Sequence, residues 1–193
     1  MRRLSAAGVA SIVLMILPVA CSSPNPSLYT IAPVDGRPHS NGPPVVVVEQ
    51  VALAHYLERS QIVRSSANYR LEVMENDWWG EPLSAMLTRV LVSELSQNLP
   101  HSTVINETGA VSATPDATVA LNVQRLDENA DGQLVLQAQA SVSFKGQKAP
   151  HLRDFHLIVP PPAPGTPGEV AAISTAVGQL ADALAALVAE SGP

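Results

Sequence analysis

Asn76 to Pro100, NDWWGEPLSAMLTRVLVSELSQNLP, holds a tryptophan pair followed by an amphipathic helix pattern with a start, a stripe and a stop. Pro82 suits the first helical turn, where a missing N–H costs nothing, and Pro100 ends the pattern because it cannot continue it. Leu83, Met86, Leu87, Val90, Leu91, Leu95 and Leu99 recur three or four residues apart and form one apolar face. Ser84, Thr88, Arg89, Glu94, Ser96 and Gln97 take most of the remaining surface. The spacing predicts a helix on which a sheet is laid, with Trp78 and Trp79 plugging its N-terminal edge. Neighbours in an extended chain point to opposite sides, so one of the two tryptophans is expected to be partly exposed. Burial is favoured over binding for Trp79; for Trp78 and for Tyr56 the two are evenly matched.

Downstream, Ser102 to Asn106 reads as a short strand, and Ala117 to Leu126 and Gln133 to Phe144 as two longer ones joined through Asp127 to Gly132 as an antiparallel hairpin. On the second of these, Gln137, Gln139, Ser141 and Ser143 form a neutral polar ladder, a solvated face that would also suit a partner. Leu152 to Val159 is a last strand with Phe155, Leu157 and Val159 facing in. A stiff polyproline crossover, Val159 to Pro164, precedes Thr166-Pro167-Gly168-Glu169, a capping box with Thr166 at the N-cap and Glu169 reaching back. The final helix carries Val170, Ile173, Val177, Leu180, Leu184 and Leu187 as a seam. That seam packs beside the first helix or, as the less favoured reading, zips against another subunit or a partner helix. So short a pattern leaves the oligomeric state, a homo-oligomer included, open.

Upstream, Val45 to Leu53 is an apolar β-branched run expected as one strand buried on both faces. Asn68 to Glu75 alternates, with Tyr69, Leu71 and Val73 on one side and Arg70 and Glu72 on the other, as a half-buried strand does. Leu28 to Ile31 is a possible short strand between two spacers, Ser22 to Ser27 and the Pro- and Gly-rich Ala32 to Pro44, both expected to be extended and to hold the body off a bilayer. The fold expected is α+β: a mostly antiparallel sheet with two principal helices packed on it, in a single domain over 45–190.

The 193 residues suffice for one domain with a proper core. Hydrophobic residues make up 46% and aromatics only 4%, so the core is aliphatic and stacking platforms for single-stranded nucleic acid are scarce. The chain has 11 basic and 17 acidic side chains; without Arg2 and Arg3, nine basic ones remain, a net charge of −8 that would repel a phosphate backbone. No nucleic-acid partner is expected.

Met1 to Ala20 has the form of a secretory leader: Arg2 and Arg3, an apolar run from Ala6 to Leu17, and small Ala20 at the junction. The apolar run is shorter than the ~20 residues that a membrane span needs. Leu17-Pro18-Val19-Ala20-Cys21 resembles the bacterial lipobox, in which cleavage precedes a diacylglyceryl-modified cysteine, with Pro18 where Leu is usual. By that resemblance residues 1–20 are a lipoprotein signal peptide and residues 21–44 a lipidated Cys21 with a Pro-rich tether. Ser22 follows the cysteine where Asp would signal inner-membrane retention, which implies the periplasmic face of the outer membrane. Cys21 is the only cysteine, so no disulfide is available within the chain.

Tyr56-Leu57-Glu58-Arg59-Ser60-Gln61-Ile62-Val63, then Asn68 and Leu71, then Trp79-Gly80-Glu81-Pro82-Leu83 resemble the signature of the PqiC family, with Glu58 and Ser60 replacing the commoner Asp and Pro. The resemblance implies an outer-membrane lipoprotein auxiliary to an MCE-type, ABC-linked lipid transport system. Its partners would be an MCE-domain conduit protein and its inner-membrane transporter. Tyr56, Arg59 and Trp78 are the candidate contact residues. The reading of a different class is a structural or assembly lipoprotein of the envelope, unrelated to lipid transport.

The sequence shows no nucleotide loop, nucleophile elbow or zinc-protease helix. His151 and His156, five apart on a strand, face opposite ways. No catalysis, cofactor or metal is expected.

Overall fold

The computed structural model describes residues 25–191, so the leader and Cys21 lie outside the described residues. One sheet holds β1 (Ser27–Tyr29), β2 (Val45–Val48), β3 (Ala52–Leu53), β4 (Gln61–Ser65), β5 (Glu72–Trp79), β6 (Thr103–Asn106), β7 (Ala117–Glu128), β8 (Leu134–Phe144) and β9 (His151–Val159). Two helices, α1 (Leu83–Asn98) and α2 (Thr166–Ser191), pack on it.

β7 organises the sheet. Along one edge it pairs antiparallel with β8 over its whole length, and β8 pairs likewise with β9. Along the other edge it takes three short parallel partners in turn: β2 at Ala117, β3 at Asn122, and Ser65 of β4 at Glu128. β2 carries β6 in parallel, β4 carries β5 antiparallel, and β5 carries β1 in parallel. Five of the eight pairings are therefore parallel, and the sheet is mixed rather than mostly antiparallel. The Asp-Gly turn did signal its own hairpin. The short N-terminal strands instead find partners across helices and loops, where no turn chemistry reports direction.

Val45 to Leu53 is not one strand but a track along β7 with a break. Glu49 and Ala54 still donate to Val119 O and Val123 O, both at 2.9 Å. Between them the Val51 N–H leaves the sheet for Thr88 Oγ1 on α1, at 3.0 Å. The alternation predicted from Asn68 also starts late. Asn68 and Tyr69 sit in the left-handed region at φ 55° and 60°, so Tyr69 and Leu71 are exposed and the strand begins at Glu72.

Every member of the α1 stripe is buried. Thr88 and Glu94, expected on its polar face, are buried with them. On α2 the seam residues through Leu184 are buried, and Ala172, Ala176, Ala181 and Ala185 are small enough for close packing against α1 and the sheet. α2 is long and apolar enough to cross a membrane, yet most of it is buried in this core. The capping box does not form. Thr166 is already helical and its hydroxyl donates to the Asp77 carboxylate, while Gly165, at φ 82°, caps through its carbonyl with the Gly168 and Glu169 N–H groups. Gly168 is required there, because a Cβ would lie 1.7 Å from Ala163 O.

Ala32 to Pro44 is extended, as its prolines dictate, but it is a strap on the helices and not a free spacer. Ala32 donates to Ser174 Oγ (3.2 Å), Val34 to Glu94 Oε1 (2.9 Å), Arg37 to Asp182 Oδ1 (2.9 Å) and His39 to Asn98 O (2.7 Å). Ile31, just before it, is buried. The folded body thus starts near Ser27, not at Val45. Composition signalled extension; it could not signal that three helix side chains and the Asn98 carbonyl would satisfy the strap's N–H groups.

Candidate functional site

Two buried polar groups interrupt the aliphatic core. The first lies where β4 and β7 end and α2 begins. Asp127, fully buried at the end of β7, accepts from Tyr56 Oη (2.7 Å), Ser66 Oγ (3.0 Å) and Arg125 Nε (2.9 Å). Three donors satisfy a carboxylate that burial would otherwise penalise. Burial, and then the bond to Asp127, hold the Tyr56 phenol above its ordinary pKa. Beside it Glu169 of α2 is fully buried, and neither carboxylate oxygen has a hydrogen-bond partner among the described residues. Arg64 Nε is 3.9 Å away. Burial first, then the Glu128 charge, push Glu169 up to about 8 against the opposing pull of Arg64. A cleft of about 450 Å³ opens next to this cluster, lined by Arg64, Glu128, Gly132 and the Pro161–Gly165 crossover.

The second is Glu94, fully buried under the strap on α1. Its Oε1 accepts from Val34, and its Oε2 has no partner among the described residues. Burial, opposed by the Val34 N–H and aided by Asp182, raises it to about 7. Burial thus holds both carboxyls well above the ordinary carboxylate range. Among the described residues no group of three or more His, Cys, Asp or Glu side chains is arranged to hold a metal.

The three sequence candidates do not converge. Tyr56, half-buried in a single helical turn at His55–Leu57, has its hydroxyl committed to Asp127. Arg59 is exposed in the bend before β4. Trp78 is half-buried on β5 opposite Gln61, with Nε1 donating to Glu75 O at 2.9 Å, while its neighbour Trp79 is buried. Arg59 and Trp78 therefore share one end of the β4–β5 ladder and Tyr56 faces inward. Sequence reasoning missed Asp127, Glu169 and Glu94. Glu169 carried a cap signature that masked its burial; Glu94 stood at the edge of the apolar stripe.

A mixed sheet thus carries two helices on a largely aliphatic core, with Asp127, Glu169 and Glu94 buried within it. The chain belongs to the family of ABC-type transport auxiliary lipoprotein components, whose sequence profile matches residues 27–185. It is 27% identical over 108 residues to the intermembrane transport lipoprotein PqiC of Escherichia coli K12, an alignment covering 56% of each chain. The chain thus spans about half the length of the curated relatives it matches. Two crystal structures share the fold. One, of a protein described as uncharacterized, has a TM-score of 0.71 at 24% identity, over 86% of this chain and 99% of the other. The second, XCC0632 from Xanthomonas campestris, has a TM-score of 0.68 at 16% identity, over 82% and 92%.

Proposed function

We propose that this protein is a non-enzymatic accessory lipoprotein of an MCE-type, ABC-linked lipid transport system. Acylated Cys21 anchors it on the periplasmic face of the outer membrane, and a surface of the folded body docks the conduit that an inner-membrane transporter feeds. The observation that carries this reading is the family match over residues 27–185, which takes in all nine strands, α1 and most of α2 and follows closely on a lipobox-like Leu17–Cys21. The similarity to PqiC, named as an intermembrane transport lipoprotein, supports the same assignment. Arg59, exposed in the bend before β4, and Trp78, half-buried on β5, are the contact residues of choice; Tyr56 contributes by fixing its turn to Asp127.

The test is affinity capture of tagged protein from gently solubilised membranes after in-cell crosslinking, in wild type and in Cys21→Ala. Enrichment of an MCE-domain protein, reduced when the anchor is removed, is the expected result. Recovery of only outer-membrane or polymer-assembly proteins would overturn the transport role and leave a structural lipoprotein.

A further inference from the structure

The register of the first strand carries information about how the body meets its membrane. β1 runs parallel to β5, with Ser27 opposite Asp77 and Tyr29 opposite Trp79. The chain therefore enters β1 from the end of the sheet where β5 begins, which is where Ser65 pairs with Glu72 and Glu128. Glu72 lies five residues before Asp77 on β5, ~17 Å along the strand. Cys21 lies six residues before Ser27, a reach of at most ~20 Å. The interval that a lipidated Cys21 has available thus matches the distance to the end of the sheet. Sideways the match is equally close, since the β4–β5 turn sits within ~5–10 Å, one or two strand spacings, of β1.

That end is capped by an unusual turn. Asn68 and Tyr69 are both left-handed, a conformation that side chains disfavour, and the result is a wholly exposed Tyr69 followed by exposed Arg70 and by Leu71 at 42% exposure. The apolar Pro160–Pro164 crossover starts from the same end, because Val159 pairs with Leu134, Leu134 with Glu128 and Glu128 with Ser65. A tip with one aromatic and one aliphatic side chain around an arginine has the composition of a bilayer interface contact: ring and leucine among the upper acyl chains, guanidinium among phosphates. So small an apolar surface binds a bilayer only marginally by itself. Next to an anchor it is held there.

We propose that this end of the sheet rests on the bilayer, with Tyr69 and Leu71 seated in the headgroup region beside the anchor; the inference rests on the acylation of Cys21 argued above. It fixes the body's orientation, turning the β8–β9 turn over Lys145–Pro150, at the opposite end of the sheet, toward the periplasm.

The acylated full chain is reconstituted in phosphatidylethanolamine–phosphatidylglycerol vesicles with an environment-sensitive fluorophore on Tyr69→Cys or, as control, on Lys148→Cys; acylation blocks Cys21 itself. A quencher confined to the headgroup region is expected to act about threefold more strongly at position 69 than at 148, as for side chains buried in the interface. Equal weak quenching at both positions in protein that floats with the vesicles overturns the proposal alone. So does shielding of position 69 that appears only on adding a protein partner. Protein that does not float overturns the anchor reading and this proposal with it.

Discussion

Glu169 shows what a single misplaced carboxyl does to the molecule. It is faced by Arg64 from β4, by Glu128 and Asp127 from β7 and by Glu72 from β5, and it is raised to about 8 from an ordinary 4.5, with burial as the main cause. Because the folded state holds the proton more tightly, its contribution to stability is complete below the unfolded value of 4.5 and is lost as pH rises toward about 8. Glu94 adds to the same slope between 4.5 and about 7. Chemical denaturation at pH 5 and pH 8 checks this. Wild type is expected to weaken over that interval, and Glu169→Gln, which cannot ionise, to be the more stable protein at pH 8 by about 1–3 kcal/mol with little difference at pH 5. An unchanged slope in the variant would mean that Glu169 is ionised within the fold. This residue was illegible in the sequence for a physical reason: Thr-Pro-Gly-Glu matches a capping box by composition, and only the neighbouring Gly165 carbonyl, already accepting the Gly168 and Glu169 N–H groups, displaces the cap.

At the scale of elements, legibility followed locality. The α1 stripe and the β7–β8 hairpin were readable because a 3.6-residue period and an Asp-Gly turn are written within each segment. The parallel pairings of β1, β2 and β3 were not, since each is decided by a strand far along the chain. Thr88 illustrates the same limit. Its place in α1 was clear, but its task, accepting the Val51 N–H at 3.0 Å while donating to Ser84 O at 2.7 Å, depends on where the β2–β3 break falls. The entrance to α2 yields a sharper test. A methyl group at Gly168 would lie 1.7 Å from the Ala163 carbonyl oxygen, a backbone atom that cannot rotate away. Gly168→Ala is expected to lower stability by ~2–4 kcal/mol, read by thermal unfolding, as overpacking against rigid neighbours does. Exposed Gly132, with open space around its Cβ direction, would show only the smaller effect of its positive φ.

The whole molecule has its boundary in a different place from the one its composition suggests. The Pro- and Gly-rich stretch before Val45 reads as linker, yet Ile31 is buried, β1 extends the sheet, and the strap's Val34 N–H supplies the only hydrogen bond to the Glu94 carboxylate among the described residues. A chain beginning at Ser27 keeps all of these, whereas one beginning at Val45 uncovers Glu94, Asn98 and Asp182 and removes the cover over Gly178, whose missing side chain leaves room for Val34. Burial of Ile31 alone is worth ~2 kcal/mol, and in a body of this size each kcal/mol moves the midpoint by about 2–4 °C. The Ser27 chain is therefore expected to melt cooperatively near the midpoint of the longer protein, and the Val45 chain to melt at least about 10 °C lower or fail to fold. Equal midpoints for the two would restore the strap to the role of a passive spacer. A large gap would leave only five residues, Ser22 to Pro26, between the proposed anchor at Cys21 and the folded body, and a body so tethered would be confined to the immediate neighbourhood of the membrane.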